Sequence, residues 1–167
     1  MPKQTKGFTL VEVLLYLAVV GSILLAVCLF LSLLLTARVK NQTMTEVEQQ
    51  GEFVMRTIMS AVQNAESLNL PAPGSSGSEL SLSSYTGQNP VVFSQNAGAV
   101  EISEGGSIPV SLTAPNVAVS NLSFTNLPAA GPGGSIRAQF TLTFNSQSSA
   151  QEYVYSQVFE NAATLRK

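Results

Sequence analysis

Glu12 stands out in this chain because of where it sits. In the 29 residues from Phe8 to Thr36 it is the only carboxylate, and the other ionisable side chains are Tyr16 and Cys28. A carboxylate within so apolar a stretch costs about 3 kcal/mol on membrane-insertion scales and is ordinarily kept for a partner. The stretch contains no cationic side chain, but a cut before Phe8 would create a free amine four residues from Glu12. The junction between the polar leader and the apolar stretch falls at this Gly7-Phe8 step.

The remaining residues are poorly equipped for catalysis. The chain has no His and no Asp, and its one cysteine lies in the apolar run. Ser/His, Cys/His and His-ligated metal arrangements therefore cannot be built, nor can an intramolecular disulfide. The carboxylates beyond residue 67 are Glu79, Glu101, Glu104, Glu152 and Glu160. Glu101 and Glu104 sit beside a Gly-Gly turn, but calcium wants about 6–8 oxygens, so a solvated turn is the expectation. Tyr85, Tyr153 and Tyr155 are read as packing residues on strands. No catalytic residue, metal site or cofactor is expected. Losing Lys3 and Lys6 with a leader leaves six basic against ten acidic side chains. Bulk charge thus argues against a nucleic-acid partner.

The apolar stretch has to be placed before these residues can act. As a helix, Phe8–Thr36 would span about 43 Å, against a hydrocarbon core of about 30 Å. It is about twice the length of a signal-peptide hydrophobic region, and no Ala-x-Ala closes it. The chain is 45% apolar, but that figure mixes this stretch with a soluble remainder large enough for only a modest core.

Leader, Gly-Phe step, glutamate and long apolar run occur together here. Lys6-Gly7-Phe8-Thr9-Leu10-Val11-Glu12 resembles the processing motif of type IV pilins and of type II secretion pseudopilins. The resemblance covers about a tenth of the chain. It implies that a prepilin peptidase cuts after Gly7 and methylates the amine of Phe8. It implies that the chain waits as a single-pass membrane protein, N-terminus cytoplasmic, and then enters an extracytoplasmic filament. The partners implied are other pilin or pseudopilin subunits and an inner-membrane assembly platform. Glu12 is expected to pair with the amine of a neighbouring subunit rather than only its own. Lys3 and Lys6 against Arg38 and Lys40 nearly balance, so the orientation rests on the resemblance. Many major pilins carry a disulfide-stapled C-terminal loop, which this chain cannot form, so it looks most like a minor pilin or minor pseudopilin. A monomeric membrane-anchored binding or adhesion module, and a secreted protein for which 8–36 is only an export signal, are the alternatives.

Beyond Thr36 the pattern turns amphipathic. Val47, Gly51, Val54, Ile58, Val62 and Ala65 recur every three or four residues, and no proline occurs from Phe8 to Leu70; the pattern predicts one helix from about Phe8 to Ser67. Ala18, Ser22 and Ala26 are spaced for close helix packing in a membrane. Prolines and glycines between Ser67 and Ser78 break the helix. Short strands are expected at Leu80–Ser84, Val91–Ser94, Val100–Ser103 and Ile108–Leu112. Longer ones are expected at Val117–Leu127 and Ile136–Phe144, joined by the loop Pro128–Gly134. A last strand runs from about Gln151 to Phe159, after a turn at Asn145–Ala150, and extends through a bend near Glu160-Asn161. A helix followed only by strands predicts an α+β fold, its helix packed through the C-terminal half on an antiparallel sheet. The expected organisation is leader 1–7, apolar helix half 8–36, amphipathic half 37–67, linker 68–78 and head 79–167. Gly7→Val should leave the precursor uncut in the membrane; recovery of a mature chain starting at Phe8 from that variant would refute the cleavage assignment.

Overall fold

The computed structural model of the protein describes residues 9–84, 88–128, 134–144 and 154–166. Gly7, Phe8, Tyr85, Glu152, Tyr153, most of the loop Pro128–Gly134 and the turn at Asn145–Ala150 fall outside those ranges. Helix α1 runs Leu10–Gln63 and contains no proline. Its only poor helix formers are Gly21 and Gly51. Nine strands follow among the described residues: β1 (Ala65–Leu70), β2 (Ser76–Gly77), β3 (Leu80–Ser84), β4 (Val91–Asn96), β5 (Ala99–Glu104), β6 (Val110–Ser111), β7 (Val117–Leu127), β8 (Ser135–Phe144) and β9 (Ser156–Thr164). The fold is α+β, as the order of patterns predicts. The chain divides into two units, residues 1–41 and 42–167.

In the first unit, every large apolar side chain of α1 from Leu10 to Leu35 is between 47% and 77% exposed. The 18-residue span that is long and apolar enough to cross a membrane has no buried residue. It is therefore not the core helix of a soluble domain.

The second unit is built on the apolar stripe of α1. Val47, Val54, Ile58 and Val62 have no exposed surface, at spacings of seven and four that keep them on one helix face. They meet two antiparallel sheets rather than the single sheet expected: β1-β3-β4-β5-β6 and β2-β7-β8-β9. Alternation along β8 turns Ile136, Ala138, Phe140 and Leu142 inward with no exposed surface, matching the period-two pattern of the sequence. Phe93, Phe124 and Phe140 are fully buried in the shared core. The two sheets are tied together where Val119 N donates to Gly98 O at 2.7 Å and Gln95 Nε2 donates to Val119 O at 2.9 Å. A split into two sheets was not legible from strand patterns, because register across non-consecutive strands leaves no local signal.

The end of α1 differs from expectation. The helix stops at Gln63 rather than Ser67, and Ala65–Leu70 is a strand paired antiparallel with β3. Helix-compatible residues are overridden here by tertiary pairing: Ala65 is 2% exposed in the core and Leu68 packs against it. One orphan carbonyl of the helix end is met from the far terminus, Arg166 N donating to Gln63 O at 3.3 Å. The predicted break at 68–78 accordingly holds the end of β1 and the two-residue β2, whose Ser76 lies opposite Thr125. Strand β6 is shorter than expected, since Pro109 has no N–H to give a ladder. In β9 the ladder from Thr143↔Ser156 to Ser135↔Thr164 carries no register shift. No bend therefore forms at Glu160-Asn161, because β8 is long enough to pair the whole strand.

Gly51 is required by packing rather than by backbone angle. A Cβ there would collide with the ring of Phe159, which stacks on Phe140 with ring centroids 5.5 Å apart and 24° between the planes. Gly51→Ala should destabilise residues 42–167 by about 1–3 kcal/mol from overpacking, against a helix-propensity gain of about 1 kcal/mol. Adding Phe159→Leu should recover most of the loss. Chemical unfolding of the purified full chain in detergent checks both; a Gly51→Ala protein as stable as wild type would refute the close packing.

Candidate processing and assembly site

The helix that carries Glu12 begins at a polar cap. Thr9 precedes the first helical residue, Leu10, and its Oγ1 accepts a hydrogen bond from Glu12 N at 3.3 Å. Thr9 O accepts another from Val13 N at 3.2 Å. Thr9-x-x-Glu12 therefore has the spacing of a capping box, with one orphan helix donor met by the threonine side chain. Glu12 lies in the first turn, where the helix dipole favours negative charge by about 0.3–1 kcal/mol. It is partly buried, whereas its neighbours Val11 and Val13 are exposed. Its carboxylate thus has two available roles: a local one at the helix start, and a longer-range one toward an incoming cation. The local role was missed in the sequence although its signal, a threonine three residues before a glutamate, was present.

Farther along this helix half the hydroxyl side chains bond back to the helix's own backbone. Ser22 Oγ donates to Val19 O at 2.8 Å, Ser32 Oγ to Leu29 O at 2.7 Å and Thr36 Oγ1 to Ser32 O at 3.1 Å. Each hydroxyl proton is thus used inside the helix, which lowers the cost of meeting hydrocarbon. Ala18, Ser22 and Ala26 lie four apart on the exposed surface of this unit, and a Cβ at Gly21 would meet nothing within 4 Å. Cys28 is exposed with a free thiol. Gly7 and Phe8 lie outside the described residues.

In residues 42–167 the polar side chains serve the fold. Ser103 Oγ donates to Ser107 O at 2.7 Å across the Glu104–Ser107 turn, where Gly105 and Gly106 take φ of +61° and +74°. Those angles, which favour glycine, explain the Gly-Gly pair beside Glu101 and Glu104. Glu101 accepts from Asn96 Nδ2 at 3.3 Å, and Tyr155 donates to Gln157 Oε1 at 3.1 Å. Asn126, 4% exposed, donates to Pro71 O at 2.9 Å, pinning the turn before β2. Asn116 donates to Glu46 and ties the loop before β7 to α1. Among the described residues no group of three or more His, Cys, Asp or Glu is placed to hold a metal ion.

Comparison with known proteins bears on the N-terminal segment. Residues 2–27 match the family described as the prokaryotic N-terminal methylation motif. The match takes in the Gly7-Phe8 junction, Thr9, Glu12 and the small residues Ala18, Ser22 and Ala26. It supports a prepilin-type substrate of a processing peptidase. No curated protein and no solved structure matches the chain.

Proposed function

We propose that the chain is a structural subunit of a type IV pilus-like or secretion pseudopilus filament. In this reading a prepilin peptidase cuts after Gly7 and methylates Phe8. One coincidence carries it: the methylation motif at residues 2–27 heads a helix whose apolar side chains from Leu10 to Leu35 are uncovered within the protein. So large an uncovered apolar surface needs lipid or other helices around it. The same surface serves both stages, lipid while the subunit is stored and neighbouring subunits after assembly. The leader lies in the cytoplasm and residues 42–167 outside it. Ala18, Ser22 and Ala26 form the close-packing stripe between helices. The assembly partners are like subunits and an inner-membrane platform. The chain acts without catalytic residues, metal or cofactor of its own. With one cysteine it fits a minor pilin or minor pseudopilin better than a disulfide-stapled major subunit.

Assembly through Glu12 follows from charge. An amine at Phe8 that enters a helix bundle unpaired costs about 3–5 kcal/mol, two to four decades in an association constant. A head-to-tail contact that repeats without closing gives a filament, and a buried ion pair at each contact fixes its register. The experiment compares wild type, Glu12→Ala, Glu12→Gln and Thr9→Val as sole copies at matched expression, scoring processed membrane pool and filament number. Both Glu12 variants should be processed and inserted yet enter filaments at least tenfold less well, while Thr9→Val, which loses the cap and keeps the charge, should assemble. If the Glu12 variants assemble normally, pairing between subunits is wrong. If Thr9→Val fails as badly as Glu12→Ala, the carboxylate acts by starting the helix.

A further inference from the structure

Residues 42–167 contain a cleft that filament assembly through the apolar helix half leaves unused. It opens between α1 and the five-stranded sheet with a volume of about 450 Å³, within the range of about 300–1,000 Å³ typical of small-ligand sites. Its floor is part of one cross-strand row. Phe93, with no exposed surface, lies opposite Ile102, and Ile102 lies opposite Val110, which is 63% exposed. The core therefore continues outward past the cover of α1. The side chains that α1 and β1 turn toward the cleft include Ala61 and Ala65, too small to fill it.

Two opposite charges border the opening. Arg56 stands on the helix wall and Glu104, the last residue of β5, on the sheet wall. Among the described residues the only ion pair is Arg137–Glu160, at 3.4 Å, so Arg56 and Glu104 are not paired with each other. Arg56 also borders a second cleft on the β9 side of the helix, together with Glu52 and Glu160, and forms an ion pair with neither. A cation on one wall, a carboxylate on the other and an apolar floor between them select among ligands. A neutral apolar molecule leaves both charges unanswered. A fatty acid answers Arg56 but sets hydrocarbon against Glu104. A short peptide with apolar side chains and free ends answers all three surfaces. Its carboxylate meets the guanidinium, which can bind it through two N–H donors, and its ammonium meets Glu104.

We propose that this cleft binds short apolar peptides with free, oppositely charged termini, the C-terminus at Arg56 and the N-terminus at Glu104. The proposal does not rest on filament assembly. The test uses the full chain in lipid nanodiscs and the tripeptide Ala-Phe-Leu carrying a fluorinated phenylalanine, followed by fluorine NMR against empty nanodiscs. The N-acetylated, C-amidated and doubly blocked peptides are titrated in parallel. The free peptide should bind saturably, and each single block should weaken it roughly two- to fivefold, the range for an exposed ion pair. Arg56→Gln should weaken the free acid by the same factor and leave the amide unchanged; Glu104→Gln should do so for the free amine and leave the acetylated peptide unchanged. Both side chains are exposed, so the variants should fold. Equal affinity for all four peptides, signals matched by empty nanodiscs, or an Arg56→Gln loss that falls equally on acid and amide would each overturn the proposal.

Discussion

The burial of one face of α1 from Val47 to Val62 is the contact on which the head depends. Neither sheet could close a core alone. The five-stranded sheet offers Leu80, Leu82 and Phe93, and the four-stranded sheet offers Phe124, Ile136 and Phe140, all with at most 1% exposure. The helix stripe gives both sets a common surface. Fully burying such a side chain contributes about 1.5–3 kcal/mol, and the four stripe residues make that contribution within the one cluster that both sheets share. The same helix carries no buried residue over its membrane-compatible span. One element thus carries two different surfaces along its length, uncovered apolar side chains as far as Leu35 and a buried stripe from Val47.

Much of this was legible in the sequence, for reasons specific to each element. Strands β3 and β7 fall where composition placed them, Leu80–Ser84 and Val117–Leu127, because turn residues punctuate both ends. The inward face of β8 follows from strict alternation. What escaped was non-local. Ala65–Leu70 carries residues equally at home in a helix, and its partner is Ser81–Ser84, which no local window contains. The two-residue strands β2 and β6 exist only through their neighbours.

The candidate site divides in the same way. Gly7, Phe8 and Glu12 were singled out because a lone carboxylate in an apolar run beside a Gly-Phe step has few explanations; the segment 2–27 that contains them matches the methylation motif as a whole. Thr9 was passed over although it stands beside them. A hydroxyl three residues ahead of a carboxylate is common enough that only the bond from Glu12 N to Thr9 Oγ1 gives it meaning. The cleft at Arg56 had no signal at all, since its walls come from residues far apart in the chain.

The junction at Gln63 has a mechanical consequence. A single residue, Asn64, separates the end of α1 from β1, and Arg166 N reaches back to Gln63 O. Tension along the last turns of α1 therefore passes straight into β1 and its antiparallel ladder with β3. The bond from Arg166 gives a second route for the load, through the C-terminal segment to β9. A pull on the helix is therefore felt at once by both sheets, through β1 in one and β9 in the other.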